Sequence, residues 1–212
     1  MGPIVYTAIF GGYDKLRLPD VTEAEYVCLC DEQLNVREPW QQRLIKMQYA
    51  PRKQQRHCKA MVHEIFPDAA VSIWHGGNVW LTADPQELVA LLGDRDIAVV
   101  RHDRRNCAYR EADACIRLKK GDPQTIARQM ARYRDEGYPA RNGLCAAFLI
   151  VRRHTPQIKE FNELWWSEID GGSVRDQISI DYCLWKLGIK PAIIPGGVYR
   201  GPCYRRNGGH HR

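Results

Sequence analysis

The 212 residues carry 44% hydrophobic and 26% charged side chains and a formal net charge of +6. That balance fits a folded domain with a real core and excludes a disordered or fibrous chain. No apolar run approaches the ~18 residues that cross a bilayer, and residues 1–10 lack the basic start and cleavage site of a secretory leader. A cytoplasmic protein is therefore expected. The eight cysteines form no Cys-x-x-Cys pair, which argues against structural zinc and for reduced thiols packed as small core groups.

Residues 3–10 form an apolar, β-branched run closed by Gly11-Gly12-Tyr13-Asp14, a strand entering a turn. A second short strand spans 25–30 and ends at Asp31. Residues 40–48 read equally as a strand or as the approach to a helix. After Pro51, good helix formers predict a helix over 52–65, stopped by Pro67-Asp68. A buried strand at 69–74 follows, and then the turn His75-Gly76-Gly77-Asn78. Asp84-Pro85 opens a helix over 86–92, and 96–100 is another buried strand. Helices are predicted over 111–118, 123–136, 156–169 and 174–187, with strands at 144–151 and 189–194. Strands alternating with helices predict an α/β fold with a mixed central sheet flanked by helices. Residues 1–195 are expected to be one domain, and 196–212 a flexible basic C-terminal tail.

Basic residues cluster at 52–59, 101–110 and 200–206, a field that attracts polyanions, nucleotide diphosphates and nucleic acid alike. Three features suit a phosphorylated ligand. The glycine turn after the first strand allows close backbone approach. Arg56 and Lys59, three residues apart, share a helix face with Arg52 nearby. Arg175-Asp176-Gln177 opens a helix, where backbone N–H groups hold anions and Asp176 can bind hydroxyls or act as a base. His102, Arg105, Cys107, Tyr109 and Glu111 follow the strand at 96–100, a placement that suits acceptor recognition, with Glu111 a candidate general base. An ion-pair cluster in a loop fits those residues equally well.

These runs resemble the mucilage-related glycosyltransferase-like family. The matching residues are the run from Ile4 through Asp14, Phe66-Pro67-Asp68, Ser72-Ile73-Trp74 with Gly77-Asn78, Asp84-Pro85 with Glu87-Leu88, and Gly137-Tyr138-Pro139. Phe161-Asn162-Glu163 with Trp165-Trp166, Gly172-Ser173 and Arg175-Asp176-Gln177 complete the pattern. The resemblance implies a GT-A-like nucleotide-diphospho-sugar transferase fold, a divalent cation (Mn²⁺ or Mg²⁺), and transfer of a hexosyl or pentosyl group, most simply from a UDP-sugar, to a hydroxyl acceptor. The acceptor is expected to be a glycan, with a hydroxymethylated DNA base as the nucleic-acid alternative. It implies a donor site of Thr7, Ala8, Phe10, Tyr13, Asp31, Arg56, Lys59, Gly76, Gly77, Asn78, Arg175 and Gln177, with Asp176 positioning the sugar or the acceptor hydroxyl.

One departure matters. The family reads Trp, an apolar residue, Asp, Gly, Asn at the turn; here Gly76 stands where the aspartate belongs, and glycine offers a cation no oxygen ligand beyond its backbone. Three accounts stay open. His75 and Asn78, helped by His210 or His211 from the tail, hold the metal. Alternatively Arg56, Lys59 and tail arginines replace it. In the third account the domain binds a nucleotide sugar or glycan without transfer.

Overall fold

The computed structural model of the chain describes residues 2–21 and 23–207. Its strands are β1 (Ile4–Ile9), β2 (Glu25–Cys30), β3 (Trp40–Leu44), β4 (Val71–His75), β5 (Val79–Leu81), β6 (Ile97–Arg101), β7 (Cys145–Arg153), β8 (Ala192–Ile194), β9 (Arg200–Gly201) and β10 (Tyr204–Arg206). Its helices are α1 (Pro51–Ala60), α2 (Val62–Ile65), α3 (Pro85–Ala90), α4 (Ala108–Arg117), α5 (Pro123–Asp135), α6 (Pro156–Asp170) and α7 (Ile180–Lys186). Seven strands form one sheet in the order β3-β2-β1-β4-β7-β6-β8. All its pairings are parallel except those of β7, which runs against β4 and β6. The expected mixed central sheet is what forms, and 40–44 resolves as its edge strand.

Because β7 alone is reversed, the carboxyl ends of β1, β2, β4 and β6 share one edge with the start of β7. Alternation along each strand divides the core. Tyr6, Ala8, Phe10 and Trp74 pack under the helices, with Phe161 and Trp165 of α6. Val5, Ile9, Ile73 and Val100 pack on the other face against Leu88 of α3 and Tyr204 of β10. All eight cysteines are free and buried.

The helix predicted over 52–65 is broken at Met61, and β7 supplies the reason. Arg152 is fully buried. Its guanidinium donates to the carbonyls of Lys59 at 2.6 Å and Ala60 at 3.3 Å, to the Tyr6 hydroxyl at 2.6 Å and to Asn162 Oδ1 at 2.7 Å. A continuing helix would use those two carbonyls for the N–H groups of residues 63 and 64. Here Arg152 caps α1, Met61 turns out at φ −89° and ψ 38°, and α2 starts afresh. Replacing Arg152 with methionine would strip these acceptors of their donors in a dry site. We expect the Arg152→Met protein to lose about 3 kcal/mol in urea unfolding.

Three other expectations shift. The helix predicted over 174–187 is a 3-10 turn at Asp176–Ile178 followed by α7. Ser179 separates them, its hydroxyl donating back to the Asp176 carbonyl at 3.2 Å. The helix predicted over 111–118 starts at Ala108, with Cys107 at its N-cap. The basic tail expected over 196–212 is corrected for its first part, since 200–206 contribute β9 and β10 to a three-stranded sheet in the order β5-β10-β9. Tyr204 anchors it, buried, its hydroxyl on the Gly197 carbonyl at 2.6 Å.

Candidate active site

A cleft of about 350 Å³ opens where β1 leaves the sheet, between residues 8–14 and the start of α1. Ligands of open α/β sheets collect at this edge. Larger hollows lie beside Trp80 and beside Cys107, but only this one adjoins the glycine turn. Gly11 adopts φ 62°, a conformation that disfavours a side chain. Its N–H donates to both oxygens of Asp31 at 3.1 and 3.0 Å. Asp31 thus shapes the turn from the end of β2 rather than lining the cleft.

Helix α1 begins at the cleft with proline at its first position, preset for a helix. Arg52 and Arg56, one turn apart, line the cleft with Gln55, and Arg175 enters from the loop before the 3-10 turn. Lys59, one turn further, is buried beneath them. Its Nζ sits 2.5 Å from Asp176 Oδ2 and donates to the Ala147 carbonyl at 2.8 Å, while Arg56 Nε lies 3.2 Å from the same carboxylate oxygen. The ammonium also lies 5.0 Å from the centre of the Trp74 ring. Trp165 Nε1 donates to the Asp176 carbonyl at 3.1 Å and pins its backbone.

One buried carboxylate therefore faces two cations. Burial alone would raise the Asp176 pKa, yet Arg56 and Lys59, with help from Arg175, hold it well below the ordinary range. Burial lowers the Lys59 pKa to about 7; the pull of Asp176 opposes this and the repulsion of Arg56 adds to it. Asp176 is ionised, and its place is behind Arg56 rather than at the cleft wall.

The turn after β4 closes the far side. A Cβ on Gly77 would meet Asp14 Cβ at 2.7 Å, so Asp14, which lines the cleft, packs flush against a residue with no side chain. The Gly77→Ala protein is expected to displace Asp14 from the cleft wall and to lose about 1–3 kcal/mol of stability, checked by urea unfolding. Asn78 is tied to the C-terminal segment: its side-chain amide donates to the Asn207 carbonyl, and Asn207 N–H donates to the Asn78 carbonyl, both at 3.0 Å. Arg206, the residue before Asn207, lies 4.8 Å from the Phe148 ring centre and donates to the Val198 carbonyl at 3.2 Å. Burial lowers its pKa, with the Arg175 charge acting the same way and Tyr199, Asp14 and Tyr204 acting against it.

Of the residues expected at the donor site, Ala8, Phe10, Tyr13, Arg56 and Arg175 line the cleft. Lys59 and Asp176 support it from below, and Gly76, Gly77 and Asn78 form the adjoining turn. Gln177 is half-buried in the 3-10 turn and does not reach the cleft wall. Thr7 is buried one position out of phase with Ala8, so its side chain points to the opposite face of β1. His75 is likewise buried, its ring 5.4 Å from that of Trp40 and its Nδ1 3.0 Å from the Gly76 carbonyl. Burial lowers its pKa to about 4. Glu111 is buried on α4, 2.5 Å from Arg105 Nε and away from the cleft lining. Sequence reasoning missed Gln55, which had no signal beyond its place beside Arg56. Of the tail arginines expected to help, Arg206 is fixed by the pairing of β10 with β5 and is not part of the cleft lining.

A resident divalent cation does not fit the donor set. Among the described residues no three His, Cys, Asp or Glu side chains converge to hold one. Asp31 is committed to Gly11, Asp176 to its two cations and His75 to the core. His210 and His211 lie outside the described residues.

A family model described as TOD1/MUCI70, glycosyltransferase-like domain, matches residues 35–195. The chain is 30% identical over 143 residues to the probable hexosyltransferase MUCI70 of Arabidopsis thaliana, covering 62% of this chain and 25% of that protein. It is 27% identical over 222 residues to the alkaline ceramidase TOD1 of the same plant, covering 85% and 48%. The chain thus spans at most about half the length of these relatives. Two solved structures share the fold at 10% identity. The bifunctional glycosyltransferase WbbM matches with a TM-score of 0.52 over 91% of this chain and 38% of its own. Mouse xyloside xylosyltransferase 1 matches at 0.51 over 92% and 86%. The architecture is that of GT-A glycosyltransferases, and by the family match over most of its length the chain belongs to the TOD1/MUCI70 glycosyltransferase-like domain family.

Proposed function

We propose that this domain transfers a sugar, hexosyl by the name of its MUCI70 relative, from a nucleoside-diphosphate donor to a hydroxyl of a glycan acceptor. One observation carries the reading: Arg52, Arg56 and Arg175 converge on a cleft beside a glycine turn at the carboxyl edge of the sheet. A diphosphate leaving group there would meet three guanidinium groups, each able to grip phosphate oxygens with two donors. Negative charge grows on the leaving diphosphate as the glycosidic bond breaks, so fixed cations beside it favour the transition state over the ground state. Asp176 and Lys59 act as positioning residues that hold Arg56 to the cleft. Ala8, Phe10 and Tyr13 supply apolar and aromatic surface for the nucleoside.

The test is nucleotide release from a panel of UDP-, GDP- and CMP-sugars, with Mn²⁺ and with EDTA, in the presence of oligosaccharide acceptors. Release from one donor, reduced by Arg56→Gln, is the expected result. Donor binding without release to any acceptor would favour a non-catalytic domain. Faster release with DNA carrying hydroxymethylated bases would move the acceptor to nucleic acid. Fatty-acid release from ceramide with no nucleotide release would instead favour the activity named for the second relative.

A further inference from the structure

A second recess opens on the same sheet edge, beyond β6. It has a volume of about 510 Å³ and is lined by Cys107, Tyr109, Arg110, Arg134, Tyr138 and Arg141 together with small loop residues. The loop after β6 and the loop before β7 are stitched together to form it, with Gly143 N–H on the Asn106 carbonyl at 3.1 Å and His102 N–H on the Leu144 carbonyl at 2.8 Å. Arg110, Arg134 and Arg141 are exposed, and among the described residues none forms an ion pair. Nearby Arg101 and Arg105, by contrast, pair with Asp181 and Glu111.

Three further observations point the same way. Arg141 adopts φ 60°, a region that disfavours any residue with a Cβ. Glycine would sit there without strain, so the fold tolerates the strain at a position that presents a long cation. Burial pushes the Cys107 pKa up, but the neighbouring backbone N–H groups of Arg141, Arg110 and Tyr109 and the Arg110 charge more than offset it, leaving the thiol below its ordinary range. The floor of the recess thus favours negative charge, as its rim does. Arg134 lies 4.7 Å from the Tyr109 ring centre, which holds one guanidinium in place.

We propose that this arginine-lined recess is the acceptor subsite for a saccharide bearing a compact oxyanion: carboxylate, sulfate or phosphate. The proposal rests on the glycosyl-transfer reading, since it places the acceptor at the sheet edge that carries the donor cleft. A short, open recess rimmed by three guanidinium groups suits one oxyanion on a sugar ring. A nucleic acid would call for a longer cationic track with aromatic faces for its bases.

The experiment measures binding first and turnover second. Titration calorimetry at 150 mM salt (roughly physiological) would use a trisaccharide of hexuronic acid, its carboxyl-reduced neutral counterpart, a sulfated and a phosphorylated trisaccharide, and a short single-stranded DNA. We expect an acidic trisaccharide to bind at least about tenfold more tightly than the neutral one, and the three acidic arms to identify the oxyanion. Arg134→Gln and Arg141→Gly should each remove most of that preference and leave UDP binding unchanged. Arg141→Gly should melt no lower than the parent, because it relieves the left-handed strain, whereas a purely structural arginine would show a lowered melting temperature. Equal affinity for acidic and neutral sugars, or a preference surviving both substitutions, would overturn the proposal. Tighter binding of DNA than of any saccharide would overturn it in favour of nucleic acid. If acidic-sugar binding follows the arginines while no donor is turned over, the recess stands as an anion site and the transfer reading falls instead.

Discussion

Asp176→Asn is expected to cost about 3–5 kcal/mol of folding stability and to lower donor turnover by ~10³. The stability loss follows from taking the carboxylate away from buried Lys59 and Arg56, so that the amine must either stay charged and unpaired or release its proton in a dry site; the turnover loss follows because Arg56 is no longer held at the cleft. The two effects are separable. Lys59→Met together with Asp176→Asn removes the unpaired charge and should recover most of the stability, measured by urea unfolding, while nucleotide release stays low. Recovery of both would reduce the trio to a folding element. The pH dependence gives an independent check. With its pKa lowered from 10.5 to about 7, Lys59 binds a proton in the unfolded chain that the folded chain has released between those values. Stability from this group therefore rises with pH across that window, its cost being fully present below pH 7. The Lys59→Met protein should lose that slope.

The second large effect concerns the leaving group. Arg56→Gln and Arg175→Gln should each lower kcat/KM for nucleotide release by ~10²–10³, the scale of removing one preorganised donor from a developing anion. Arg56→Lys should recover little, because an ammonium cannot both reach Asp176 and grip the diphosphate through a planar fork. Most of the parent's rate should survive EDTA, because Asp14 is the one carboxylate lining the cleft and among the described residues no three His, Cys, Asp or Glu side chains converge on a cation. A rate that collapses in EDTA and returns with Mn²⁺ would show instead that a cation carries the charge, with ligands from beyond the described residues.

Much of this was legible in the sequence where local chemistry decides structure. The strand at Ile4–Ile9, the glycine turn, the Asp84-Pro85 helix start and the placement of Arg56 and Arg175 follow from alternation, turn residues and capping. The misses came from long-range partners. Nothing near Met61 announces that α1 ends there, since the cause is Arg152, 91 positions further on. His75 reads as a metal ligand beside an altered turn, yet strand phase turns it onto Trp40. Glu111 reads as a base at a strand end, but α4 begins early and carries it into a pair with Arg105. The basic residues at 200–206 look like a solvated tail until Tyr204 finds its pocket, and only then does Arg206 come near Arg175.

Arg152 also constrains how this sequence can diverge. Its partners lie on β1, α1 and α6, so substitutions at Tyr6, Arg152 and Asn162 should be strongly epistatic. A lineage that replaced the arginine first would pass through a protein with bare carbonyls in its interior. One that first changed Tyr6 or Asn162 would leave the guanidinium short of acceptors. Exchange of this hub for an apolar core thus requires several coordinated changes, which makes it among the slowest-drifting parts of the domain, more so than the cleft's own arginines.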